Sequence, residues 1–248
     1  MGSPQPHIAA MRMITGIIMA EGALYDLLSW MSPSYPIGAF AHSSGLEWAV
    51  EAGHVKDRVS TESWIADMIA HGAIRIDALM FVHAHRAAEK ADGNRLAEIA
   101  ELAAATLTSR ERRLEATAQG AAFRRIASDT AATDALALLD GIEDEDLSYP
   151  VVVACLTAGH GIPLLAALTA YLHGAVANLV SAAQRLVPLG QTDGQHVLRD
   201  LRTPLFAAIA AIADAPDGDP FDQIGSAGLY ADLAGMAHET QYTRLFRT

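Results

Sequence analysis

Residues 151–189, VVVACLTAGHGIPLLAALTAYLHGAVANLVSAAQRLVPL, form the most apolar stretch of the chain, and they decide its fold. A membrane-spanning helix needs about 20 predominantly apolar residues, but polar residues such as His160, His173 and Arg185 interrupt this stretch, and Pro163 divides it. A helix that is apolar on all sides belongs inside a packed bundle. We therefore expect core helices rather than a membrane span: a short one over residues 151–158, and a long one that opens at Pro163 and ends near Arg185.

The rest of the chain is also predicted to be helical. Alanine and leucine dominate, and the alternation of β-branched residues that marks strands is scarce. Ser44-Gly45-Leu46-Glu47 and Thr192-Asp193-Gly194-Gln195 match the capping-box pattern, so Ser44 and Thr192 are expected to cap helices. Thr61 is expected to cap a single long helix that passes Phe81. Further helices are expected over residues 24–31, 95–107, 109–127, 133–139 and 229–236.

Short loops join these helices, and no internal repeat or linker separates them. One compact all-α, multi-helix domain over residues 21–237 is therefore the expected architecture. Residues 1–20 are expected to be a flexible extension, because their short apolar run is followed at once by Glu21 and lacks the features of a signal peptide. Residues 238–248 are expected to form a C-terminal tail.

Composition narrows the classes of function. Of the 248 residues, 51% are apolar, so the chain can bury a substantial core. The net charge of −12 argues against a nucleic-acid partner, which requires clustered positive charge, and it fits a basic protein partner or good solubility. The single cysteine, Cys155, allows no disulfide within the chain and indicates a reducing compartment, so we expect a cytoplasmic protein.

Motifs for catalysis are missing from the sequence. The chain has neither the G-x-x-x-x-G-K-[ST] loop of nucleotide-binding proteins nor the G-x-S-x-G elbow of hydrolases. Tyr242 breaks the H-E-x-x-H zinc motif that His238 and Glu239 begin. We therefore predict that the protein is not an enzyme and has no catalytic, cofactor-binding or metal-binding residues. Two alternatives stay open: a nickel-binding protein that uses scattered histidines and a cysteine, such as His42 and Cys155, and a hydrolase that uses His42.

Two segments carry the residue types of protein interfaces. The first is the loop over residues 32–42, which has two prolines, a glycine, Tyr35 and Phe40. The second is the tail, where apolar side chains alternate with arginines: Tyr242, Arg244, Leu245, Phe246 and Arg247. Aromatic and arginine side chains together are typical of interface anchors. Partner binding is predicted for both segments; the alternatives are a rigid connection for the loop and packing of the tail on its own domain.

Three segments of the chain resemble motifs of one protein family. Residues 36–47 (PIGAFAHSSGLE), 186–195 (LVPLGQTDGQ) and 236–247 (MAHETQYTRLFR) are similar to the N-terminal, central and C-terminal motifs of the UreF family of urease accessory proteins. The similarity runs from about residue 24 to the end of the chain, and the three motifs occur in the family's order.

This resemblance implies a function in protein assembly. It implies an all-α protein that pairs with itself and forms a complex with the accessory protein UreD (also called UreH) and the GTPase UreG. That complex delivers nickel to the urease apoprotein, so nickel would be handled by the complex and GTP by UreG, and neither would be a cofactor of this chain. The resemblance also implies that the tail docks on UreD and that the loop becomes ordered in the complex. The expected partner-binding residues are Tyr35, Phe40, His42, Glu47, His238, Glu239, Tyr242, Arg244, Leu245, Phe246 and Arg247.

Overall fold

The computed structural model describes residues 22–214, 216–225 and 228–248, and the predicted extension over residues 1–20 lies outside these ranges. Within them the chain forms helices and no strand, which confirms the predicted all-α fold. The α-helices of the described ranges are α1 Ala23–Trp30, α2 Leu46–Glu51, α3 Arg58–Ala70, α4 Ala73–Glu89, α5 Gly93–Ala105, α6 Arg110–Thr130, α7 Asp134–Ala137, α8 Tyr149–Gly159, α9 Leu164–Leu186, α10 Gln191–Asp200, α11 Arg202–Ala213 and α12 Leu229–His238. Two 3-10 turns, Ala39–Ala41 and Pro220–Gln223, precede α2 and α12.

Helix α8 forms the centre of the core. Its residues from Pro150 to Thr157 are all buried, and it packs against α4, α6, α7 and α9. Gly120 of α6 permits a close approach, because a Cβ atom there would lie 2.2 Å from the carbonyl oxygen of Leu147. Helix α8 is therefore the helix buried on all sides that the apolar stretch predicts.

Helix α9, in contrast, is buried on one face only. Leu168, Leu172 and Val176 are buried, whereas Leu165 and His173 are exposed. In the described part of the chain, α9 is the one helix with the length and apolar composition to cross a membrane, and 39% of its apolar window is buried. A single helix of this kind is weak evidence for a membrane, because a core helix passes the same test.

The predicted single long helix that begins at Thr61 is wrong, because the segment forms two helices, α3 and α4. Asp57 caps α3: its carboxylate accepts the amide of Ser60 at 2.9 Å, and the Ser60 hydroxyl accepts the amide of Asp57 at 3.1 Å. The break falls at Gly72, where the backbone passes close to the start of α12. A Cβ atom on Gly228 would lie 2.6 Å from the Cα atom of Gly72.

Local capping signals set several other helix boundaries. Ser109 and Thr133 cap α6 and α7 by accepting backbone amides at 3.0 and 3.1 Å. Pro163 directly precedes α9, within one residue of the predicted start. Thr192 is not a cap, because α10 already begins at Gln191.

Candidate functional site

The C-terminal tail folds back onto the N-terminal loop. The amide and the hydroxyl of Ser43 both donate to the main-chain oxygen of Thr248, at 2.7 and 3.0 Å. The amide of Arg247 donates to the carbonyl of Ala41 at 2.8 Å, and the His42 ring is hydrogen-bonded to the Thr248 hydroxyl at 2.7 Å. Burial lowers the pKa of His42. Packing of the tail on its own domain, one of the two alternatives for this segment, is thus the arrangement in the structure.

Glu47 holds the tail through backbone amides. Its carboxylate accepts the amide of Leu245 at 2.5 Å and the amide of Phe246 at 2.9 Å, and it lies 3.0 Å from Nε2 of His238. Burial opposes ionisation of Glu47, but these three donors together lower its pKa. The predicted capping box at this position is wrong, because Ser44 adopts a positive φ of 52° and its hydroxyl donates to a different carboxylate.

A chain of charged groups continues from Glu47 across the tail. Nδ1 of His238 lies 2.6 Å from a carboxylate oxygen of Glu111, and the other oxygen of Glu111 accepts from Arg244 at 2.6 Å. His238 is fully buried, and each of its ring nitrogens lies within hydrogen-bonding distance of a carboxylate, Glu111 on one side and Glu47 on the other. We call Glu47, Glu111, His238 and Arg244 the tail clamp. Breaking a buried pair of this kind leaves an uncompensated charge, so the clamp favours the docked tail.

Two further predicted partner-binding residues, Tyr35 and Glu239, also have contacts within the domain. Tyr35 is half-buried, and its ring packs against Phe123 with centroids 5.0 Å apart. The Glu239 carboxylate accepts the amide of Arg110 at 2.9 Å, at the first residue of α6, where a negative charge is favourable. Both side chains therefore help to hold the loop and the end of α12 against the domain.

Three large apolar side chains of the predicted set point outward. Phe40 is 69% exposed and Leu245 is 64% exposed, and Tyr242 is fully exposed. The neighbouring helix α12 adds large exposed side chains at helical spacing, namely Leu229, Leu233 and Met236. The three exposed residues of α12 follow one face of that helix, and exposed apolar patches are characteristic of interaction surfaces. We call Phe40, Tyr242 and Leu245 the outer anchors.

Arg185, near the end of α9, joins the loop to the tail. Its Cζ atom lies 3.9 Å from the ring centroid of Phe40 and 4.2 Å from that of Phe246, and a guanidinium nitrogen donates to the carbonyl of Phe40 at 2.9 Å. Sequence reasoning missed this role. The available signal was a lone charged residue within the apolar stretch, which was interpreted only as an argument against a membrane span.

A buried polar cluster lies beneath the loop. Arg112 is paired with Asp77 at 2.5 Å and lies 3.6 Å from Glu115, and the Tyr171 hydroxyl donates to Asp77 at 3.2 Å. Burial raises the pKa of Asp77. Burial alone would lower the pKa of Arg112, but its carboxylate neighbours Asp77 and Glu115 raise the pKa of Arg112 above its usual value. The cluster lines part of a cavity of about 250 Å³ between the loop, α6 and α9. A second cavity, of about 30 Å³, shares Arg112 and Glu115 and reaches Thr248.

The nickel-binding alternative finds no support in this geometry. Among the residues that the structure describes, no group of three or more His, Cys, Asp or Glu side chains is arranged to hold a metal ion. Cys155 is fully buried in α8, and burial raises the pKa of its thiol to about 12. Since the thiolate is the form that binds metals, a thiol with this pKa is a poor ligand at neutral pH.

The fold and the site together define a class: an all-helical protein in which the N-terminal loop and the C-terminal tail form one outward-facing surface. Comparison with known sequences identifies the family. The UreF family profile matches residues 55–202. The chain belongs to the UreF family of urease accessory proteins, which confirms the resemblance of the three motifs.

Full-length relatives extend the similarity beyond the profile to the loop and the tail. A urease accessory protein UreF of Bradyrhizobium sp. strain BTAi1 is 48% identical over 247 residues, which cover 99% of each chain. One from Rhodopseudomonas palustris strain BisB5 is 49% identical over 92% of each chain. One from Bradyrhizobium sp. strain ORS 278 is 50% identical over 91% of this chain and 92% of its own.

Proposed function

We propose that this chain is a non-enzymatic, cytoplasmic scaffold for urease maturation. In this proposal it binds a UreD (UreH) protein and the GTPase UreG, modulates UreG, and takes part in inserting nickel into the urease apoprotein. Nickel is carried by the complex and GTP by UreG, so the chain needs no cofactor of its own. The observation that carries the proposal is the exposure of the two outer anchors Tyr242 and Leu245 on a tail that the clamp already holds in place.

The outer anchors fit a protein-binding surface for two physical reasons. First, a tail that is docked before binding loses less conformational entropy when a partner arrives than a disordered tail would. Second, Leu245 projects from a backbone whose amide is bound by Glu47, Tyr242 is exposed three residues earlier, and Arg244 pairs with Glu111 between them. Binding energy concentrates in apolar and aromatic anchors that a rigid backbone presents.

Self-association is also part of the proposal, and α9 is the face that supports it. This helix is about 35 Å long at 1.5 Å per residue, and Leu165 is 56% exposed on its outer side. An exposed leucine on a long helix offers apolar area to a second helix. Replacing Leu165 by arginine should convert a dimer to a monomer in a light-scattering mass measurement, and an unchanged mass would remove α9 from the interface.

Complementation of urease activity tests the function. Cells that carry urease, UreD and UreG genes but lack this chain should be supplied with the wild type, with the double variant Tyr242→Ala/Leu245→Ala, or with the control Val59→Ala. Val59 is 70% exposed on α3, so its replacement tests a smaller loss of exposed apolar area outside the loop and the tail. The double variant should lower co-purification with UreD and the nickel content of urease by tenfold or more, as expected for hot-spot residues worth about 2 kcal/mol. Urease that becomes fully nickel-loaded in cells without this chain would overturn the proposal.

A further inference from the structure

Arg185 makes contacts that are not needed to form helix α9 or the tail clamp. Its guanidinium lies between two aromatic rings, Phe40 from the loop and Phe246 from the tail, which are far apart in sequence. Its Nε donates to the carbonyl of Ser181 at 3.2 Å, and another nitrogen donates to the carbonyl of Phe40 at 2.9 Å. Two ring faces and two carbonyls therefore surround one planar cation.

The charge of Arg185 is not neutralised by an acidic partner. Across the described ranges no carboxylate pairs with it, and its second terminal nitrogen is buried without a hydrogen bond. A cation in this position is stabilised mainly by the ring faces, because an aromatic quadrupole attracts positive charge. Loss of either ring would leave the positive charge of the guanidinium with less stabilisation. The position of each ring therefore depends on the other through their shared contact with Arg185.

The two rings come from the two segments that contribute to the proposed partner surface, the tail and the loop. Phe246 is buried under the tail next to the amides that Glu47 accepts, whereas Phe40 is an outer anchor. Two direct backbone bonds, from Arg247 to Ala41 and from Ser43 to Thr248, also join the loop region to the tail. Arg185 thus contacts both the loop and the tail at their junction.

We propose that Arg185 is a positioning residue that couples the loop to the tail, so that Phe40 and the tail anchors form one rigid surface. Only arginine provides this coupling, because its planar guanidinium stacks on two faces while it donates hydrogen bonds in its own plane. A lysine ammonium keeps the charge but cannot stack on both rings. The consequence for partner binding rests on the proposed function, whereas the coupling itself is a property of the isolated chain.

Hydrogen exchange on the isolated full chain tests the coupling. Arg185→Gln should raise the exchange rates of the amides of Phe246 and Arg247 by about tenfold or more, as expected for the loss of two cation–π contacts. Arg185→Lys should give an intermediate increase, and Phe40→Leu should raise tail exchange while α9 is left intact. Arg125→Gln, an exposed arginine on α6, is the control and should change nothing.

Co-purification with UreD, measured on the same variants, separates this inference from the proposed function. Faster tail exchange together with weaker co-purification supports both. Faster tail exchange with unchanged co-purification supports the coupling and counts against the tail as the docking surface. The coupling would be overturned if the tail amides of Arg185→Gln and Arg185→Lys exchanged at the wild-type rate, whatever the result of co-purification with UreD. If Arg185→Gln does not fold by circular dichroism, the lysine and Phe40 variants decide the question.

Discussion

Replacing Glu47 by alanine should release the C-terminal tail without unfolding the helical domain. The Glu47 carboxylate accepts the amides of Leu245 and Phe246 at 2.5 and 2.9 Å and faces His238 at 3.0 Å. A hydrogen bond to a charged group contributes about 1.5–3 kcal/mol, and Glu47 is 7% exposed, so solvent screens these bonds little. Because released amides regain hydrogen bonds to water and neighbouring contacts are not additive, we expect a loss of about 2–4 kcal/mol in docking free energy rather than the full sum.

Amide hydrogen exchange of a C-terminal peptide covering residues 239–248 measures this loss directly. A change of about 2–4 kcal/mol corresponds to exchange that is roughly 30- to 1000-fold faster. Glu47→Gln keeps one oxygen acceptor and should fall between wild type and alanine. Glu51→Ala is the matched control, because Glu51 is exposed one turn later on the same helix. Tail protection in Glu47→Ala that equals that of wild type and the Glu51 variant would refute the reasoning.

The same bonds predict a pH dependence of tail docking. The pKa of Glu47 is lower in the folded chain than its ordinary value of 4.5, so its contribution is fully present above pH 4.5. The contribution is lost as pH falls through the lowered folded pKa, because the protonated carboxyl no longer attracts the donors as an anion. After correction for intrinsic rates, tail protection should therefore hold at pH 5 and weaken well below pH 4.5, and Glu47→Gln should remove this acid transition.

Three further predictions concern the domain. Cys155, fully buried with a pKa of about 12, should resist iodoacetamide at pH 8 until the chain unfolds, and rapid labelling of the native chain would contradict its placement in α8. Gly120→Ala should lower the free energy of unfolding in urea by about 1–3 kcal/mol, because the added methyl group overpacks the core. Gly218→Ala places its methyl group in open space and should leave the free energy of unfolding unchanged. Equal effects of the two substitutions would argue against the close approach of α6. Burial lowers the pKa of His83 and His85, so the unfolded chain binds more protons than the folded chain as the pH is lowered. The urea concentration at the unfolding midpoint should therefore be lower at pH 5.5 than at pH 7.5. A midpoint that does not change between these two pH values would show that these histidines are not buried in neutral form.

Local signals predicted most of the helices. The segments predicted to be helical from residues 109 and 133 begin where Ser109 and Thr133 cap α6 and α7, and Pro163 directly precedes α9, because capping and proline effects act within a few residues. The same local reasoning failed at Ser44 and at Thr61. At Ser44 the backbone turns into a left-handed conformation before α2, and beyond Thr61 the chain breaks at residue 72, where the start of α12 crosses. In both places a contact with a distant segment replaced the local preference.

The candidate site was predicted in its residue types but not in its arrangement. Motif resemblance selected the loop and the tail, and the structure brings both segments to one surface. It also shows that Phe246, His42 and His238 face inward, so that the exposed anchors are a smaller set than the sequence indicated. Arg185 was outside the predicted set altogether, because its two ring contacts join residues far apart in the chain.

The sequence by itself determined that the chain is all-helical, where most helices start and stop, that no nucleotide-binding loop is encoded, and which family the chain resembles. Periodicity, capping residues and motifs act over a few neighbouring residues, so they can be interpreted without a structure. Only the tertiary structure decided that Glu47 binds the tail instead of capping its own helix, and that Arg185 lies between the loop and the tail. A carboxylate or a guanidinium can satisfy its hydrogen-bonding capacity with many alternative partners, and packing of the whole domain determines which of them come within reach.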